Sequence, residues 1–506
     1  MSAGAGLAGQ AARAVGWGAA GSVAKLVLQF GTQIMLARIL GPEQYGLFAM
    51  GVLVVSLATF LADFGMAYGL IQKPQVSDDD LRCVFTWQIL VGLVVATGVW
   101  AGSDLIARGF GEARAAAVVA ALAPVCLLNA LSAPSLNMLK RRMDFRSIQL
   151  SQVGSYVVGH VLCGLPLALW LGDVRALIVA WLVQSTVALV WAYAAVRHPL
   201  RPLWNTADRP AMLSVGLTVM VTNLLNWLLQ NVDRAVVARS YTASSIGSYS
   251  AAYNLVYTPT TTLLGVIQPV FYSASARMDS ADRGRQAGVY QAVLLVILLL
   301  LAPAYVAAAV LADPIIALLY GSAWRDAGAL LTPFALAMPA FLIWGMSTPM
   351  LWAAGHARKE FRSQLPVLLL WLLVCAAASQ GPVLWVAWGV AGLFFVRAAT
   401  MVGQVCRVLS IPARDLWRTL RPGALACVLV GLSCEALLQL GQLAGVGAVG
   451  LLLPVLALGL GGTLLLMAAT LSLTVAPDVR PALRPVLARL PAALRRLRAL
   501  RRLLEE

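Results

Sequence analysis

An all-α polytopic membrane protein is the fold class that this sequence predicts. Three observations carry the prediction: serial apolar segments, a basic charge confined to alternate connections, and an internal repeat. The chain has 506 residues, a mean hydropathy of +0.82 and only 11% charged residues. A soluble domain of this size needs a larger polar surface. Between residues 15 and 472 about fourteen helical, apolar stretches follow one another, each of about 17–25 residues, enough to cross a bilayer at a rise of about 1.5 Å per residue.

The segments fall at 15–38, 46–70, 83–105, 113–139, 148–171, 174–196, 211–238, 245–273, 288–311, 328–354, 364–379, 383–405, 423–441 and 447–472. The first lacks the compact basic-then-apolar pattern of a cleaved signal, so it is expected to remain as a span. Pro124, Pro166, Pro259, Pro269, Pro303, Pro333, Pro339 and Pro366 lie in or beside these segments. Such breaks persist in lipid where neighbouring helices or a cavity satisfy the freed backbone.

Lys and Arg recur after every second segment. One set of connections and termini, including Lys73, Lys140–Arg142, Arg283–Arg285, Arg358–Arg362 and Arg414–Arg421, holds 28 of the 37. The opposite set, from Arg38 through Arg325, holds seven, and Lys25 and Arg397 lie inside segments. This bias places both termini in the cytoplasm of a bacterial inner-membrane protein, which an odd number of crossings would not allow. The net charge of +16 is spread over short loops and a tail. Contact with anionic lipid explains it better than nucleic acid, for which no soluble module is present to form a groove.

The repeat rests on two landmarks. ARILGPEQYGLFAM at 37–50 and ARSYTASSIGSYSA at 238–251 superimpose with a shift of 201, matching Arg38 to Arg239 and Gly46 to Gly247. RRMDFRS at 141–147 and ARKEFRS at 357–363 superimpose with a shift of 216, matching Phe145 to Phe361 and Arg146 to Arg362. Matched segments sit six apart, an even number, so both copies cross the membrane in the same direction. The expected domains are two parallel six-helix lobes at 10–196 and 211–406, a cytoplasmic linker at 197–210, two additional helices within 423–472, and a basic tail at 481–506.

Polar residues within the segments are the candidate functional residues. Lys25, Gln29 and Gln33 share one face of the first segment, with Ser22 close by. The seventh carries Asn223, Asn226, Gln230 and Arg234 at similar spacing, beside Trp227, and the 201-residue shift pairs the two stripes. Arg397 lies inside the twelfth. An unpaired charge at mid-membrane costs roughly 2.5–3.5 kcal/mol on insertion scales, so these stripes face protein or a wet cavity. For the amides alone an interhelical network explains as much as a cavity does. The cations favour an anionic cargo. Lys and Arg hold phosphate without reacting with it, and the amides and Trp227 can meet sugars.

Asp63 is the candidate coupling site for a proton or sodium ion, with neutralisation of Lys25 or a local cap as its other roles; it and Asp233 rank below the basic residues, and Glu435 lies in the thirteenth segment. Asp233 is expected at headgroup level. The seven cysteines form no CxxC and read as small hydrophobes. His160, His198 and His356 form no metal spacing, and no GxxxxGK[ST] motif occurs, which argues against direct ATP use. No loop is long enough to carry the catalytic acid of a membrane glycosyltransferase or polymerase. A purely structural scaffold leaves Lys25 and Arg397 unexplained.

ARILGPEQYGLFAM, LADFGMAYGLIQK at 61–73 and NVDRAVVARSYTASSIGSYSAAYNL at 231–255 resemble the oligosaccharide flippases of the multidrug/oligosaccharidyl-lipid/polysaccharide exporter superfamily, in its colanic-acid-exporter-like branch. The likeness covers roughly residues 10–480. It implies a secondary-type transporter rather than an enzyme. The expected cargo is an undecaprenyl-pyrophosphate-linked oligosaccharide, moved to the periplasmic leaflet by alternating access for lipopolysaccharide or exopolysaccharide synthesis. Implied partners are a polysaccharide polymerase and other assembly proteins, with no cofactor beyond H⁺ or Na⁺ coupling. The resemblance assigns the diphosphate to Lys25, Arg234 and Arg397, and leaves Arg38 and Arg239 as braces of the loop turn. Two alternatives remain: a lipid II flippase, from whose relatives the sparse cavity charges depart, and a multidrug/cation antiporter of the same superfamily.

In the tail, Leu483, Leu487, Leu490, Leu494, Leu497 and Leu500 recur every three or four residues, with arginines between them and Pro491 as a break. A peptide of residues 481–506 is expected to become helical and bind on anionic vesicles, read by circular dichroism and sedimentation. A peptide that stays unstructured and unbound identifies a disordered basic tail.

Overall fold

The computed structural model describes residues 2–63, 65–73, 75–206, 209–276, 283–447 and 449–462, with side chains left undescribed for 2–20 and for several later helical positions. The predicted tail, 481–506, lies outside the described residues, as does the end of the last predicted segment. Every regular element among the described residues is helical, and nine helices there are long and apolar enough to cross a membrane. Contacts divide the chain into two compact units, Met1–Ala251 and Ala252–Glu506.

The first unit opens with α1 (Ser2–Asp63), two helical pieces joined by a break at Gly41, inside the loop expected at 39–45. Its only interruption is Gly41, at φ 76°, followed by Pro42. Glycine tolerates the left-handed φ, and proline suits the first turn of the next helix, where its missing N–H costs nothing. A second left-handed glycine, Gly65, separates α2 (Met66–Gln72). Next come α3 (Asp78–Ala101), α4 (Ser103–Phe110), and α5 (Ala115–Leu122) abutting α6 (Pro124–Arg141). Ser77 and Asp80 cap α3 reciprocally, each side chain bonding the other's backbone N–H. The fifth predicted segment is α7 (Phe145–Tyr156), a π-helical stretch Val157–Gly164, and α8 (Leu165–Leu171) with Pro166 in its first turn. The wider turn accommodates a proline that cannot donate to the ladder. α9 (Arg175–Val196), α10 (Arg209–Ser240) and the start of α11 (Ala243–Ala276) complete the unit.

α10 packs with this first unit. A Cβ on Gly65 or Gly69 would press on Gly216 or Met212 of α10, and Met212 shares a core with Met66, Leu70, Val84 and Met138. The repeat motifs also touch. A Cβ on Gly46 would overlap the carbonyl oxygen of Ala243, and a Cβ on Gly247 that of Pro42. Pro42 and Ala243 are themselves 201 residues apart. The contact is therefore reciprocal, each motif's glycine seating the other motif's carbonyl, as at an interface between related copies.

The second unit continues α11 and adds α12 (Arg283–Val296), a π-helical stretch Ile297–Leu301 ahead of Pro303, α13 (Ala302–Val310) and α14 (Ala312–Leu319). α15 (Arg325–Ala353) is its core helix and packs chiefly on α17 (Val383–Leu409), with α16 (Ala357–Ala378) alongside. α18 (Ala413–Leu443) begins ten residues before the apolar window, in the basic run Arg414–Arg421. It packs with α13 and the short α19 (Leu452–Val455) around Ala307, Leu311, Val430, Cys434 and Leu452. Exposed tryptophans sit near both sets of helix ends. In the first unit Trp100 and Trp170 are at one set of ends and Trp191 at the other; in the second unit Trp385 and Trp388 are at one and Trp352 and Trp417 at the other, each the pattern of rings at membrane–water boundaries.

The connection after α9 is docked. Arg82 donates to the Arg201 carbonyl at 3.0 Å, the Leu203 N–H donates to Thr86 Oγ1 at 2.9 Å, and Trp87 donates to the Trp204 carbonyl at 3.2 Å, all along α3. His198 is 3% exposed, edge-on to Phe85 and Tyr193. Burial lowers its pKa from the usual 6.5. The folded state therefore prefers neutral His198, and the stability this contributes is present above the unfolded pKa and lost as pH falls through the window beneath it. Amide exchange in residues 198–206 should accelerate as pH falls below 6.5 after correction for intrinsic rates, and His198→Phe should remove that dependence.

Candidate functional site

Charge inside the membrane is held by amides in each unit. In the first, Lys25 of α1 donates to Gln152 Oε1 of α7 at 3.2 Å. Gln29 and Gln33 follow Lys25 on the same helical face and are half-buried, as is Lys25 itself. α7 is packed on α1 through the turn fixed by Asp144, which accepts from Ser147 N–H and hydroxyl. The second polar stripe divides. Trp227 is largely buried and donates its indole N–H to Ser56 of α1 at 2.9 Å, so in this conformer its polar edge is engaged within the protein. Gln230 is exposed and Arg234 half-buried, with Arg234 donating to Asn231 at 3.4 Å. The Asn226 and Ser22 side chains are outside the described set.

In the second unit Arg397 of α17 is 3% exposed. Its guanidinium lies 3.7 Å from the Trp344 ring centroid, and its Nε donates to Gln364 Oε1 at 2.9 Å. Gln364 in turn donates to Glu360 Oε1 at 2.8 Å, one turn earlier on α16. Among the described residues no carboxylate pairs with Arg397 directly, and its buried Nη1 has no acceptor. The Trp344 and Trp371 indole nitrogens are also buried without acceptors. Phe341 and Phe394 connect these rings edge to face. Arg397 Nη1 and the indole N–H of the Trp344 stacked on it thus lack acceptors, which leaves the cation short of negative charge and lone pairs. A phosphate oxygen supplies both.

The amide partner matters chemically. A carboxylate would neutralise the cation, whereas glutamine fixes its position and leaves the charge available. The two glutamines were not singled out in the sequence. Gln364 had one signal, an i+4 spacing from Glu360 beside the ARKEFRS landmark. Trp344 had none, because an indole on an apolar helix reads as core.

Asp63 closes α1 and is half-buried. Gln88, 1% exposed, donates to the Asp63 carbonyl at 2.6 Å and more distantly to its carboxylate at 3.4 Å, leaving Gln88 Oε1 without a partner. Asn223 bonds the Tyr68 hydroxyl nearby, and Lys140 lies 5.3 Å from the Tyr68 ring. Asp233 is held inside the protein. It is 1% exposed and accepts from the Tyr249 hydroxyl at 2.7 Å, because α11 folds back against α10 at the turn after Ser240. Glu435 accepts from Gln439 on an exposed face of α18. Arg38, Arg239, Arg146 and Arg362 are exposed. Arg146 is on the first turn of α7, but Arg362 is in the second turn of α16, so the matched landmarks begin their helices one turn apart.

Comparison with known proteins then gives the class. The family profile "Polysaccharide biosynthesis protein" matches residues 35–329. The succinoglycan biosynthesis transport protein ExoT of Rhizobium meliloti is 26% identical over 437 residues, covering 84% of this chain and 86% of ExoT. The lipopolysaccharide biosynthesis protein WzxC of Escherichia coli is 25% identical over 61% of this chain and 63% of its own. Among solved structures, the lipid II flippase MurJ in an inward closed conformation superimposes with a TM-score of 0.71 at 14% identity, over 90% of this chain and 98% of that one. An inward-facing multidrug resistance MATE transporter gives 0.55 at 15% identity, over 77% and 96%. The chain belongs to the polysaccharide biosynthesis protein family, has among its described residues nine helices long and apolar enough to cross a membrane, and shares its fold with the MurJ flippase and MATE transporter structures.

The Arg397 cluster is tested by fluorescence. Farnesyl pyrophosphate added to the purified protein should change the emission that is lost in Trp344→Phe, and Arg397→Gln should abolish that response while the protein still elutes as a folded species. A response retained in Arg397→Gln assigns the arginine to structure alone.

Proposed function

We propose that this protein moves an undecaprenyl-pyrophosphate-linked oligosaccharide repeat unit from the cytoplasmic to the periplasmic leaflet for surface or exopolysaccharide synthesis. The observation that carries the reading is Arg397: a buried guanidinium with a stacking partner, a neutral amide partner and one nitrogen awaiting an acceptor. Lys25 with Gln152 repeats the amide contact in the first unit. The names of ExoT and WzxC, which speak of succinoglycan transport and lipopolysaccharide biosynthesis, support a saccharide cargo.

On this reading about fourteen helices cross the membrane as two parallel six-helix lobes and an added pair, with both termini cytoplasmic. Lys25 and Arg397 bind the diphosphate, Arg234 attracts it near the outer mouth, and Gln29, Gln33, Asn226 and Gln230 meet sugar hydroxyls. Trp227 joins them in a state where it leaves Ser56. Parting of the Gly46 and Gly247 motifs opens the outer side, and Asp63 couples the cycle to a proton or sodium ion. A polysaccharide polymerase consumes the product. A carrier of cationic drugs would need free carboxylates in its cavity, and Asp233 is already held by Tyr249.

Deletion of the gene, in a strain with no redundant flippase, should trap lipid-linked sugar in the inner leaflet, read by leaflet-selective labelling and mass spectrometry. Unchanged outward movement overturns the proposal. Lys25→Met should insert normally and lower transport by about tenfold, the worth of one contact of about 1.4 kcal/mol. Normal transport by a well-expressed variant returns Lys25 to a structural role.

A further inference from the structure

In the second unit, at the end of the helices opposite the basic run Arg414–Arg421, a groove of about 580 Å³ opens between the α14–α15 turn and the end of α18. Its polar lining is Asp313, Ser322, Arg325 and Gln442, against a wall that includes Pro314 and Leu438. The size falls within the range of small-ligand sites.

The charges are arranged unusually. A Cβ on Gly328 would overlap the Asp313 carboxylate, so the absence of a side chain there lets Asp313 lie on the first turn of α15. Arg325 is three residues before Gly328 on the same face, where neighbouring positions are about 5–6 Å apart. Asp313 and Arg325 thus stand about one helical turn apart, yet among the described residues they form no ion pair with each other or with a third group. Both are exposed to the groove. Leu318 on α14, Leu440 and Leu443 at the end of α18, and Val446 just after it are exposed and aliphatic. The groove lies where spans end, so its polar floor is at headgroup depth and its rim meets acyl chains.

We infer that this groove binds a zwitterionic phospholipid with a primary ammonium headgroup, phosphatidylethanolamine in chemistry, with the phosphate on Arg325 and the ammonium on Asp313. Ser322 and Gln442 are placed to hydrogen-bond the phosphate and glycerol esters. An ammonium adds the attraction of its positive charge to its hydrogen bonds with the carboxylate, which the uncharged glycerol of phosphatidylglycerol lacks. The inference concerns a lipid bound on the protein's flank and is independent of the cargo.

The test uses the full chain in nanodiscs containing equal phosphatidylethanolamine and phosphatidylglycerol of matched acyl chains. Lipids retained after collisional release are counted by native mass spectrometry. The wild type should retain phosphatidylethanolamine about threefold over phosphatidylglycerol, the scale of one exposed ion pair. Asp313→Asn should bring the ratio to parity, Arg325→Gln should lower retention of both lipids, and Asp104→Asn, at an exposed acid on α4, should change nothing. Parity in the wild type overturns the inference. So does a preference that survives Asp313→Asn, or one that Asp104→Asn removes equally.

Discussion

The structure depends on one constraint: inside a bilayer every backbone polar group must find its partner within the protein. Helices answer it, and each irregularity here occurs where the local chemistry compensates. Gly41 and Pro42 break α1 with a residue that tolerates positive φ and one that needs no donor. The π-helical stretches 157–164 and 297–301 each precede a proline by a few residues and widen the turn that the ring would otherwise strain. The helices can then be long and interrupted without leaving the backbone unsatisfied.

Close approach follows from the same economy. Lipid provides no hydrophobic drive between apolar helices, so packing at short range has to supply the association. Gly46 and Gly247 admit each other's neighbouring carbonyls, and Gly65 and Gly69 admit α10. A reciprocal seam made of backbone has little side-chain volume to rearrange, which the proposed cycle would use when the seam parts.

Charge is treated differently from packing. Lys25 and Arg397 are positioned by Gln152 and Gln364 rather than by carboxylates. These glutamines lie on α7 and α16, the segments that the 216-residue shift matches. Each cation is oriented by a neutral amide that supplies no counter-charge, which on the proposed function the diphosphate supplies. Asp233 is the contrasting case, an acid taken out of play by burial and Tyr249.

Apolar run length and Lys/Arg bias were enough to read the all-helical membrane class, because lipid imposes both on any chain that crosses it. The intramembrane cations were legible for the same reason, since a charge there stands out against its surroundings. The motif glycines were visible as repeats. What they touch was not, because contact between residues 201 positions apart in the chain is a property of packing. Tertiary structure alone decided that Trp227 is engaged by Ser56, that Asp233 is buried, that Trp344 stacks on Arg397, and that Asp313 and Arg325 share a groove without pairing. Each of these turns on which way a side chain points from its helix and what the neighbouring helix leaves open, and a periodicity specifies a face without naming its partner.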